Sequence, residues 1–254
     1  MINSFKKSYI PNIITALNIL SGFMSILFAG SSEFKAAAIL IICAAIFDTL
    51  DGIAARYFGS ASKFGVELDS LSDVVSFGAA PAFLIYQSTL INYGWIGIAI
   101  SSLFLILGAF RLARFNIQLE DIKTKSDFKG LPIPISAVTI ALFVSSYYRD
   151  GSIIRPFDSL VIPLILLLSV LMVTKIRYNA LPKLKDRNIK EKIVSFFVLI
   201  FTLILALITN GIIFFYIFFS IILFGIFRYI YSRIFPHREN HVNVKEEINR
   251  GKIV

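Results

Sequence analysis

Cysteine is nearly missing from this chain: Cys43 stands alone inside an apolar run, which excludes an intrachain disulfide and any cysteine-based metal centre. Charge is scarce as well. Only 16% of the 254 residues are charged against 57% hydrophobic, and with a mean hydropathy of +0.78 there is too little polar surface to coat a soluble globule. No stretch is left for a sizeable water-soluble domain, because apolar runs near or above about 18 residues recur along almost the whole length. The net charge of +9 does not point to nucleic acid, since Lys and Arg fall in short tracts between apolar runs rather than along one polar face. The first apolar run follows Lys6 and Lys7, as in a secretory leader. No Ala-x-Ala pattern closes it and equally apolar runs come after it, so it reads as a retained helix.

What is present is an all-α, polytopic membrane bundle. Residues 1–10, with Phe5, Lys6, Lys7 and Tyr9, suit a short amphipathic segment in the headgroup region, and Pro11 would open the first span. At about 20 residues per crossing, eight hydrophobic helices are predicted near 11–30, 34–57, 69–88, 93–116, 132–149, 157–175, 191–209 and 212–233. The residues after these, 234–254, form a polar tail whose His237 carries no predicted chemistry. With this count, all but Lys35, Arg149 and Arg155 of the 25 basic residues fall on one side of the membrane. Positive charge favours the cytoplasm, so both termini are expected there.

Four carboxylates stand where hydrophobic helices end: Asp48 and Asp51 in IFDTLDGIAARYFG, Asp69 and Asp73 in FGVELDSLSDVVSFG. Ionisable groups at such depth cost roughly 2.5 kcal/mol or more each, so they normally face a cavity and a partner. The i, i+3 spacing of the first pair and the i, i+4 spacing of the second put each pair on one face of its helix. A turn through Gly59, Ser60 and Gly65 would bring both pairs together near one membrane surface. Four converging anions need a cation, and one or two oxygen-seeking divalent ions such as Mg²⁺ or Mn²⁺ answer that need. Such ions can hold a pyrophosphate and steady a leaving nucleotide. Gly52 and Ala55 would admit a base or phosphate close to the backbone, and Arg56 offers charge-assisted hydrogen bonds to phosphate.

Other uses of these aspartates differ in what they require. As helix caps or partners of Arg56 and Lys63 they would be structural; as an ion or proton path they would need further acids across the bilayer. Glu33 and Asp150 lie instead in the opposite loops. A scaffold protein has no need of four aspartates in this arrangement.

From Asp48 to Asp73 the chain reads DxxDGxxAR, eight residues, then GxxxDxxxD, without departure. This resembles the signature of the CDP-alcohol phosphatidyltransferase family, and fixed positions at fixed spacing make the match specific. The resemblance implies a six-helix catalytic core, here 11–175, with a metal site at its cytoplasmic end, often in a homodimer. Residues 176–233 would then add two transmembrane helices. It implies that Asp48, Asp51 and Asp69 are metal ligands. Asp73 would be the general base on the acceptor hydroxyl, and a further ligand, with two ions in the site and CMP released.

PNIITALNILSG from Pro11, RLARFN from Arg111 and FKGLPIPISA from Phe128 resemble the phosphatidylserine synthase branch, whose acceptor is serine. On that reading the substrates are a CDP-lipid and serine, and the location is a prokaryotic plasma membrane. The acceptor could also be inositol phosphate, glycerol phosphate or another alcohol. The lipid tails, diacyl or ether-linked, need only apolar contacts. Arg111 and Arg114, on one face of the fourth helix, could grip the serine carboxylate or a phosphate, with Asn116 and Lys129 as further candidates. Their other use is anchoring at the positive side of the membrane. Asn18 shares a face with Thr15 and Gly22, so it either lines the nucleotide and phosphate cavity, with Gly52, Ala55, Arg56 and Gly65, or packs against a neighbouring helix. Pro132 and Pro134 set the start of the fifth helix.

Overall fold

In the computed structural model, residues 2–60, 62–120, 130–174, 176, 178, 209 and 211–234 are described. The helices among them are α1 (Ile2–Gly30), α2 (Phe34–Phe58), α3 (Lys63–Ser88), α4 (Gly94–Glu120), α5 (Ile133–Tyr147), α6 (Val161–Val173) and α7 (Ile212–Ile234). Segments Tyr9–Gly30, Phe34–Phe58, Lys63–Ser88, Leu90–Ile117 and Ile212–Ile234 are long and apolar enough to cross a membrane. The chain is therefore a polytopic, all-α membrane protein. The predicted span at 191–209, all but Thr209, the tail beyond Ile234, and Lys129 lie outside the described residues.

Helix α5 is shorter, at 15 residues or about 22 Å. It is apolar all round, and its neighbours α2, α3, α6 and α7 surround it, so it forms the buried axis of the bundle. The outward faces of α1, α4 and α7 carry exposed Leu, Ile and Phe side chains, as expected where lipid replaces water. Helix α7 closes on α5 through Phe215, which meets Phe143 and Tyr147, and through a 2.9 Å hydrogen bond from Tyr147 to the Tyr216 hydroxyl.

Three boundaries differ from the sequence expectation. Pro11 lies inside α1 rather than opening it, and the helix is continuous from Ile2. Helix α3 starts at Lys63, not Asp69, because Ser62 caps it, accepting from Gly65 N at 3.0 Å. Gly65 is consequently in the first helical turn, not in the connection. After Tyr147 the chain leaves the helix for a two-residue hairpin, Tyr148–Arg149 against Ser152–Ile153. Its turn residues Asp150 and Gly151 both have positive φ, at 49° and 89°, which is the Asp-Gly hairpin geometry.

The connection that matters for the site joins α2 to α3. Gly59 adopts φ 59°, and the Ser60 N–H returns to Ala55 O at 3.1 Å, capping α2 and reversing the chain. Helix α1 packs along both α2 and α3.

Candidate metal centre

The reversal at Gly59 sets the last turns of α2 beside the first turns of α3, and the four aspartates face one another there. Asp48, Asp51 and Asp69 each bring a carboxylate oxygen to within 4.8 Å of the other two. Asp73 completes the group, with Asp48, Asp69 and Asp51 as its charged neighbours and the guanidinium of Arg111 as its nearest opposite charge. Asp51 and Asp73 are buried, while Asp48 and Asp69 are half-buried.

None of the four is paired with Arg56 or Lys63 among the described residues. Asp69 Oδ1 and Asp73 Oδ1 are buried and accept no hydrogen bond there. Buried anionic oxygens without partners are costly, and a hard divalent cation is the partner that suits an all-carboxylate donor set. The residues present fit such an ion.

One carboxylate is held by an outer partner. Thr15, buried on α1, donates from Oγ1 to Asp51 Oδ2 at 2.7 Å. That contact fixes the carboxylate's direction, as outer hydrogen bonds do at metal sites. Beside it opens a cavity of about 130 Å³ walled by the Pro11–Thr15 stretch of α1, the end of α2 and the start of α3. Gly52, Ala55 and Gly65 line it as expected from the sequence, together with Asp51 and Asp69. Pro11, Asn12, Thr15, Ser60, Ser62 and Val66 also line it, and sequence reasoning had not put them there. Their signal was weak: Thr15 shares a helical face with Asn18, but nothing local says which carboxylate it meets.

The other candidates spread out. Arg56 is not among the cavity walls; its guanidinium lies beside Gly52. Asn18 is also outside the cavity, one turn deeper, fully buried, with both amide atoms lacking partners among the described residues. Arg111 turns toward Asp73, sits over the Phe115 ring at 6.0 Å, and buries an unpartnered Nε. Arg114, a charged neighbour of Arg111, donates to Val173 O at 3.1 Å. Asn116 exchanges hydrogen bonds with Ser70, Nδ2 to Oγ at 2.9 Å, which ties α4 to α3 between Asp69 and Asp73.

Residues 8–157 match a family model described as CDP-alcohol phosphatidyltransferase. A CDP-diacylglycerol–serine O-phosphatidyltransferase of Helicobacter pylori is 44% identical over 179 residues, covering 69% of this chain and 73% of the relative. An archaetidylserine synthase of Methanothermobacter thermautotrophicus is 41% identical over 172 residues, 66% and 69% of the two chains. A CDP-diacylglycerol–serine O-phosphatidyltransferase of Methanocaldococcus jannaschii is 37% identical over 226 residues, 87% of this chain and 94% of that one.

Proposed function

Because the chain belongs to the CDP-alcohol phosphatidyltransferase family, we propose that it is a membrane enzyme that moves the phosphatidyl-type group of a CDP-activated lipid onto the hydroxyl of serine, releasing CMP. The observation that carries the chemistry is the approach of the Asp48, Asp51 and Asp69 oxygens to within 4.8 Å of one another. The serine assignment draws on relatives named for serine transfer across most of their lengths.

Asp48, Asp51 and Asp69 would hold two divalent ions, Mg²⁺ or Mn²⁺, with Asp73 completing the set. The chemistry supplied by bound ions at this place is neutralisation of pyrophosphate charge. The chain's own residues do the rest. The cavity beside Asp51, with Gly52, Ala55 and Gly65 in its walls, offers close backbone approach to the nucleotide. Arg56, whose guanidinium lies beside Gly52, and the buried amide of Asn18 are the remaining phosphate-side groups. Asp73 takes the proton of the serine hydroxyl as its oxygen attacks the lipid-bearing phosphorus. One P–O bond forms, the bond to the bridging oxygen breaks, and CMP leaves with that oxygen.

On the acceptor side Arg111, facing Asp73, is the cation suited to the serine carboxylate. Arg114 and Asn116 are further acceptor-side candidates, as is Lys129, which lies outside the described residues. The excess of Lys and Arg on the side where the aspartates cluster supports a cytoplasmic site with both termini in the cytoplasm of a prokaryotic cell. The family resemblance supports a homodimer.

The test is CMP release by purified protein given CDP-diacylglycerol, Mg²⁺ and a panel of alcohols. Turnover with serine and not with inositol phosphate or glycerol phosphate is expected. Turnover only with a polyol phosphate would overturn the acceptor, and no CMP with any alcohol would overturn the reaction.

A further inference from the structure

The two aspartate pairs come from different helices, α2 and α3, which the turn at Gly59–Ser62 connects. Helices α2 and α3 meet again beyond Asp73, over residues 74–88, and both pack on α1. Helix α1 contacts α2 through the Thr15–Asp51 hydrogen bond and through Ser25 Oγ, which donates to Ala37 O at 2.9 Å. It contacts α3 through Ser76 Oγ, which donates to Asn18 O at 2.9 Å. Helix α1 thus touches both helices that carry the carboxylates while offering no carboxylate itself.

The α1–α3 approach is closest at Gly22. A Cβ there would collide with Ser76 Oγ and stand 2.6 Å from the Ser76 Cα, so the spacing is set by backbone against backbone. Ser76 belongs to a π-helical turn, Val74–Ala79, that begins immediately after Asp73. One extra residue per turn rotates the C-terminal half of the helix relative to its N-terminal half, and such turns recur where a helix re-aims a functional side chain. Here the turn lets Ser72 and Asp73 stay buried toward the site while Ser76 and Phe77 are fully buried beyond it.

We propose that Gly22 and Ser76 are positioning residues: their contact fixes the distance between α1 and the π turn of α3, and thereby holds Asp69 and Asp73 in register with Asp48 and Asp51. Neither residue lines the cavity beside Asp51 or belongs to the carboxylate cluster. This inference rests on the proposed metal site and adds to it what sets the geometry of the ligands. Any side chain at position 22 moves α3 outward, because a close-packed interior cannot absorb the displacement locally.

The test is Mn²⁺ binding to the full purified chain, followed by loss of the free-ion paramagnetic resonance signal, with no substrate present. Gly22→Ala is expected to weaken binding by about tenfold or more, as disturbance of outer-shell support does, and Ser76→Ala by about threefold. Gly97→Ala is the comparison, because a Cβ at Gly97 would strike the carbonyl of Leu90, in the 3-10 turn that follows α3 at the end remote from the aspartates. It is expected to lower thermal stability while leaving Mn²⁺ affinity as in the unaltered chain. If Gly22→Ala does not fold, Ser76→Ala decides. Folded variants that bind Mn²⁺ like the unaltered chain, or a Gly97→Ala that weakens binding as much, would overturn the proposal alone. An unaltered chain that binds no Mn²⁺, or binds it equally well with Asp69→Asn, would overturn the metal site and this inference with it.

Discussion

Thr15 on α1 donates a 2.7 Å hydrogen bond to Asp51 on α2, a contact between residues 36 apart in the chain, with both side chains buried. A threonine hydroxyl there orients the carboxylate and satisfies one of its lone pairs without adding charge. Replacing it with valine keeps the shape and removes the donor. Thr15→Val is expected to raise the Mg²⁺ concentration for half-maximal CMP release by about tenfold, with Thr15→Ser close to the unaltered chain. Equal metal requirements in all three would show that Asp51 needs no such support.

Asp73 is buried against the other carboxylates and Arg111, and its Oδ1 accepts no hydrogen bond among the described residues. It caps no helix there. Asp73→Asn is expected to lower serine-dependent CMP release by about a hundredfold or more, the usual scale for a lost general base. Its thermal midpoint should stay near that of the unaltered chain. A large fall in stability with activity per folded molecule retained would assign Asp73 a structural role.

Metal removal should separate folding from chemistry. The bundle is held by buried apolar helices and does not depend on the ions for its core. Chelation with EDTA is expected to stop CMP release while the helical circular dichroism signal persists, and added Mg²⁺ or Mn²⁺ should restore turnover. Undiminished turnover in EDTA would rule out the ions' role.

Gly130 stands at φ 95°, its N–H bonded to Ile176 O at 2.8 Å, and a Cβ would strike the Met172 carbonyl and approach Arg114 Nη2 at 3.2 Å. A side chain is strained there both by backbone conformation and by lack of space. Gly130→Ala is expected to destabilise the protein by about 1–3 kcal/mol, measured as a lowered thermal midpoint. An unchanged midpoint would show that the chain relaxes freely around this residue.

The carboxylate cluster was legible in the sequence because helical spacing alone aligns Asp48 with Asp51 and Asp69 with Asp73, and Gly59 marks the reversal between the pairs. Hydrophobic runs also located the described spans. The start of α3 was misplaced because Lys63, Gly65 and Glu67 interrupt its apolar pattern, although Ser62 carried the capping signal. The π turn leaves no mark in VVSFGA; it lies where α3 packs against α1 and α4. Thr15 to Asp51 and Ser70 to Asn116 are long-range pairings, and periodicity gives a residue's face but not the neighbour that face will meet. The hairpin at Asp150–Gly151 did have a local signature, but the span predicted at 132–149 took in its first strand, Tyr148–Arg149.

The most direct measurement is anomalous diffraction from crystals of the full chain soaked in Mn²⁺. The predicted result is density for bound manganese between the carboxylates of Asp48, Asp51 and Asp69, lost in Asp69→Asn crystals. Manganese absent from that place, with the four side chains ordered and turned apart, would contradict a metal-dependent transferase built on these aspartates.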